Sequence, residues 1–275
     1  MKVKSGITIF GGAIFVPVLF LGFLQIGSDH GVFRSLPIHL ILSLVMVVSS
    51  VIFWHYAVRG FAVSGSFRTL VIALGLLYAG VGFLSHGLLS TFEVYEVNVG
   101  RSGWYEHLAG LVLAIVLLLA VGFSERFVKQ GKRRSTIAAA AFLLTTAIVT
   151  SIIFVNTALQ LGITVGSTVG QWTPLGRFMH VATIMFFTVA AIRYLYGAFL
   201  IRSEIALAFG TGIVLFAMAE LTSGISVQEY DPAFWVAHLW YATGFLAFIW
   251  GGYASNDGHH EGDLSPSSGR AIPTK

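Results

Sequence analysis

Cysteine is absent from the 275 residues. That excludes disulfides, thiolate zinc sites, cysteine-held iron–sulfur clusters and a cysteine nucleophile. Charge is scarce as well: 10% of residues are Asp, Glu, Lys or Arg, against about 25% in a soluble globular domain. So few charges cannot cover a water-soluble body of this size. Lysine is missing from every long apolar run, occurring only as Lys2, Lys4, Lys129, Lys132 and Lys275. A retinal-type Schiff base is thereby excluded. The motifs HxxxH, HxH and HExxH are also absent, so no single helix offers a ready pair of metal ligands. Nucleic-acid binding is not expected despite a pI of about 9.4, because the basic residues sit in short links, as membrane topology requires.

What the chain does have is apolar length. Hydrophobic residues make up 56% of it, and the mean hydropathy is +0.84. The runs are continuous and about 20 residues long, which predicts helices rather than the alternating strands of a barrel. The fold class is therefore all-α, a polytopic membrane bundle of about eight helices. The spans are expected near 7–26, 37–58, 69–90, 105–124, 136–157, 178–200, 204–222 and 233–253. The first follows Lys2 and Lys4 but is too long for a signal-peptide core and has no small-x-small cleavage site, so it is kept as an anchor. Residues 1–254 form one bundle on this reading, and the polar stretch 255–275 a disordered cytoplasmic tail.

The basic residues set the orientation. Lys2 and Lys4, Arg59 and Arg68, the run Arg126 to Arg134, and Arg202 all fall in alternate links. Placing these in the cytoplasm leaves Glu93, Glu96, Glu229 and Asp231 outside and puts both termini in the cytoplasm, as expected for a cell-membrane protein. Trp104, Tyr105, Trp172 and Trp235 stand at outer span ends and read as interface anchors. No strict GxxxG pair falls inside a span, although glycine occurs 31 times. Arg193, deep in span 6, is expected to snorkel to the inner headgroups, with an internal position facing His55 as the alternative.

The histidines carry the functional signal. His39, His86, His107, His180 and His238 all fall near the outer ends of their spans, on five different helices. Glu106 and Glu220 share that depth. Ionisable groups within spans face the bundle interior or a wet cavity, because lipid exposure costs a few kcal/mol. One such layer predicts an outward-facing His/Glu polar pocket. Its expected ligand-binding residues are His39, His86, His107, His180, Glu220 and His238. A metal would be held by His86, His180 and His238; a haem b would need two facing histidines.

Three stretches carry a family resemblance: "LPIHLILSLVMVVSSVIFWHY", "LVIALGLLYAGVGFLSHGLLSTF" and "LAFGTGIVLFAMAELTSGISVQEYDPAFWVAHLWYATGFLAF". In this order they resemble the membrane-associated sensor (MASE-type) domains of bacteria and archaea, over about residues 37–253. The resemblance implies that His39, His86, Glu220 and His238 are recurrent polar positions. It also implies a sensory role upstream of a separate kinase or cyclase. The chain departs from the pattern in having Ser43 where a carboxylate would follow the first histidine, and Gly-Leu-Leu-Ser after His86. It is expected to be a stand-alone sensor-like module without an output domain.

Three functions follow. The first is a non-enzymatic, ligand-binding membrane sensor in signal transduction. The second is a haem b- or quinone-binding redox subunit with a redox partner. The third is an intramembrane metal-dependent hydrolase.

Overall fold

The structure is a computed structural model that describes residues 35–92, 99–122, 127–166, 172–201, 203–226 and 230–263. These residues form seven long helices: α1 Leu36–Ser64, α2 Phe67–Phe92, α3 Val99–Gly122, α4 Arg133–Gln160, α5 Pro174–Ile201, α6 Glu204–Ile225 and α7 Pro232–Asp263. Each contains a stretch long and apolar enough to cross a bilayer. The protein is therefore a polytopic helical membrane bundle. Seven of the expected spans fall on one helix each; the first, 7–26, lies outside the described residues. Helix α7 continues to Asp263. Extending an existing helix adds one hydrogen bond per residue without a new nucleus, which offsets the polar composition there.

Helix ends are closed by local chemistry. Gly65 caps α1 at φ 75°, and its N–H donates to Phe61 O at 2.7 Å. The Arg133 guanidinium, at the start of α4, donates to Ala62 O and Val63 O, both at 2.7 Å, and so satisfies two further orphan carbonyls. Ser203 caps α6 by accepting from Ala206 N–H at 3.2 Å. Asp231 Oδ1 caps α7, accepting from Phe234 N–H at 2.7 Å.

The helices close into a ring. α1 packs on α2, α2 on α3, α3 on α5, α5 on α6, α6 on α7, and α7 returns to α1. Helix α4 stands outside it against α2 and α3, with only 6% of its apolar window buried. Close approach is built from single glycines facing small residues on a neighbour rather than from a GxxxG pair. A Cβ at Gly80 or Gly87 of α2 would collide with Ser50 Oγ or Ser43 Oγ of α1. Gly212 and Gly244 meet in the same way between α6 and α7. The middle of the ring is filled by Phe53, Phe83, Phe187, Phe216, Phe245 and Phe248, all buried.

Trp104 and Trp235 are not interface anchors: they are 2% and 0% exposed. Trp104 Nε1–H donates to Ile163 O in the link after α4, and Trp235 packs on Tyr230 and Phe234. Arg193 and His55 are both exposed on the bundle surface, as snorkelling side chains are and an internal pair is not.

Candidate metal centre

All six ring helices send a polar side chain into the ring at one end. They are His39 from α1, His86 from α2, Glu106 and His107 from α3, His180 from α5, Glu220 from α6 and His238 from α7. Helices that alternate in direction place these near N-terminal ends on α1, α3, α5 and α7, and near C-terminal ends on α2 and α6. The predicted layer is thus one physical layer. It does not open outward as an exposed pocket: each member is 7% exposed or less. Tyr230, Phe234 and Trp235 cover it on one side, and Trp172 packs across the other.

The layer divides into two clusters. In the first, His39, His86 and His238 each offer a ring nitrogen, and these atoms lie within 4.8 Å of one another. His39 Nε2 and His238 Nε2 are 3.1 Å apart. A tetrahedral ion with bonds of about 2.0–2.1 Å holds its ligand nitrogens about 3.3 Å apart, so the spacing suits a small ion. It does not suit two axial ligands of a haem, because the macrocycle must lie between them.

The hydrogen-bond network fixes the tautomers. Ser90 Oγ–H donates to His86 O at 2.9 Å, so Ser90 Oγ accepts from Ser102 Oγ–H, also at 2.9 Å. Ser102 Oγ must then accept from His86 Nδ1–H, at 2.7 Å. His86 Nε2 is left with a bare lone pair and no hydrogen-bond partner. His238 Nδ1–H donates to Phe234 O at 2.9 Å, which puts its lone pair on Nε2 as an acceptor. His39 Nε2–H therefore donates to His238 Nε2, and His39 Nδ1 is buried without a partner. Metal-binding histidines commonly have this arrangement, with one nitrogen tied to an oxygen acceptor and the other aimed at the ion. Ser43, one turn from His39, does not touch its ring; its hydroxyl donates to His39 O at 3.0 Å.

The second cluster contains His107, His180 and Glu220. His180 Nδ1–H donates to Glu220 Oε2 at 2.6 Å, and Tyr241 O–H donates to Glu220 Oε1. Glu220 can reach this position because residue 110 on α3 is glycine; a Cβ there would collide with Oε1. His180 thus stands with Glu220 and His107 rather than beside His86 and His238, with which it was expected to hold a metal. The third imidazole beside His86 and His238 is His39, because α1 and α7 are ring neighbours of each other and α5 lies across the ring.

Helix α3 serves both clusters. Ser102 and Glu106 are four residues apart and share a face toward His86, with Glu106 Oε2 3.8 Å from His86 Nε2. Gly103 and His107, each one position further along, and Gly110 lie on another face, where Gly103 meets Val165, His107 packs on His180 of α5 and Gly110 meets Glu220 of α6. Ser102 and Glu106 were readable from that i, i+4 spacing. Tyr241 and Trp172, which touch Glu220 and the His107–His180 pair, had no such signal. His30, Glu93, Glu96 and Glu229 lie outside the described residues.

Comparison with known proteins finds no family model, no curated protein and no solved structure that matches this chain.

Proposed function

We propose that the protein is a sensor-like membrane protein that binds a transition-metal ion through His39, His86 and His238. One observation carries this reading: three imidazoles from three helices converge, and oxygen acceptors at Nδ1 leave the lone pairs of His86 and His238 on Nε2, the first without a partner and the second engaged by the His39 Nε2–H that an ion would replace. Imidazole ligands with no thiolate suit zinc, copper, iron or nickel rather than magnesium or calcium. The charge distribution of the links supports a site near the outer face of the cell membrane, with both termini cytoplasmic. The MASE-type resemblance supports a role in signal transduction with a separate kinase or cyclase. Haem b and a redox partner receive less support, since His39 and His238 touch directly.

The test is elemental analysis of detergent-purified protein dialysed against Zn2+ and then against buffer. Retained zinc is expected at pH 7.5. It should be lost as the solution is acidified, because protons compete for the same lone pairs. Zinc that washes away at pH 7.5 would contradict the reading.

A second reading, metal-dependent hydrolysis, is favoured by Glu106. Its carboxylate stands 3.8 Å from His86 Nε2, where it would take a proton from water as the water oxygen adds to an ester's acyl carbon and return it to the leaving alcohol as the C–O bond breaks; an ion held by the three histidines would supply Lewis acidity. On this reading the zinc-loaded protein hydrolyses a 4-nitrophenyl ester and Glu106→Gln does not, although it keeps its zinc. Equal rates in the two proteins would leave only the binding role.

A further inference from the structure

The second cluster has the same architecture as the first, and nothing in the trihistidine site uses it. His107 Nδ1–H donates to Gly103 O at 2.7 Å, and His180 Nδ1–H donates to Glu220 at 2.6 Å. In the neutral form of each ring the lone pair is therefore on Nε2. Both Nε2 atoms are buried and have no hydrogen-bond partner. The residues are 3% and 5% exposed, and the ring centroids are 4.4 Å apart. Two buried nitrogens without partners on adjacent rings gain nothing from the protein, and a shared electrophile would engage both. Behind His180, Tyr241 donates to Glu220 and Glu220 accepts from the ring. This is a carboxylate–histidine pair, which raises ligand basicity and fixes orientation. Trp172 packs 4.7 Å from both rings, and its Nε1–H has no partner, so it can donate to an anion or water carried by a bound ion.

Glu106 lies 3.8 Å from His86 Nε2, and Ser223 Oγ–H donates to its Oε1 at 3.4 Å. It directly precedes His107 on α3, so the trihistidine site and the His107–His180 pair are neighbours in one layer.

We propose that Nε2 of His107 and Nε2 of His180 form a second binding position for an imidazole-preferring transition-metal ion. The layer is then a two-ion centre. This inference rests on the metal-binding reading above, but the two can fail separately. The probe is Zn2+ in equilibrium dialysis with metal-free protein, followed by elemental analysis per chain. Wild type is expected to hold two zinc ions. The double variant His107→Ala/His180→Ala should hold one, and His39→Ala/His238→Ala should hold the other one.

A wild-type stoichiometry of one, lost with His238 but not with His107, overturns the second position and leaves the first. One ion lost with His107 but not with His238 keeps the second position and overturns the trihistidine site. No zinc in wild type overturns both. If the double variants do not fold, Tyr241→Phe decides. Removing the hydroxyl that holds Glu220 should weaken one of the two zinc affinities about 10–100-fold and leave the other unchanged. Two unchanged affinities would count against the second position.

Discussion

Replacing His238 with alanine is expected to weaken zinc binding at the trihistidine site by more than a hundredfold. Loss of an outer partner of a ligand costs about 10–100-fold, and His238 is itself a ligand in this account. It is also the residue on which the site is centred. Its Nε2 accepts from His39 at 3.1 Å, and its ring stacks on His86 with centroids 5.6 Å apart and 25° between planes. Alanine removes one donor and leaves His39 with neither ring nitrogen engaged, since its Nδ1 has no partner already. Competition with a chromophoric chelator measures the change. A loss below tenfold would mean that His238 is a packing residue of the α1–α7 contact and not a ligand.

Glu220→Ala is expected to destabilise the bundle by about 3 kcal/mol. Removing one member of a buried pair leaves the other without its partner, at about 3–5 kcal/mol in soluble proteins. Hydrogen bonds between membrane helices are worth less, about 0.6–2 kcal/mol each, because the unfolded helices find other partners in the bilayer. Here one carboxylate serves two donors on two other helices, His180 on α5 and Tyr241 on α7. Its loss strands both and leaves a cavity against Gly110. Glu220→Gln keeps an acceptor and should cost less than half as much. Unfolding of the purified protein by SDS titration gives both numbers. A Glu220→Ala variant within about 0.5 kcal/mol of wild type would show that the carboxylate does not hold the three helices together.

The sequence carried the layer but not its partition. Hydropathy located the helices because a spanning segment must be apolar and about 20 residues long whatever its neighbours. Alternating direction then put His39, His86, His107, His180 and His238 at one depth. Neither argument says which face of a helix looks inward. In a membrane the lipid-facing and core-facing residues are equally apolar, so the usual amphipathic signal is missing. Hydropathy and depth therefore do not separate His180 from His86 and His238, nor reveal the outlying place of α4. Helix α3 is the exception: Ser102 with Glu106 and Gly103 with His107 are i, i+4 pairs offset by one residue, and the offset alone turns them toward different neighbours. Trp172 looked like an interface anchor because it precedes a span. It is held beside the histidines by a fold in the link before α5, where Thr173 Oγ1–H lies 2.9 Å from both Thr164 O and Val165 O. Such tertiary contacts leave no local pattern.

The central claim is that imidazoles from separate helices bind an ion in this layer. X-ray absorption spectroscopy of the zinc-loaded protein at the zinc edge tests it most directly. The account predicts a first shell of nitrogen and oxygen at about 2.0–2.1 Å with strong outer-shell scattering from imidazole rings, lost in a His39→Ala/His86→Ala/His238→Ala variant that retains its helical content. A first shell of oxygen alone, without imidazole scattering, would contradict it.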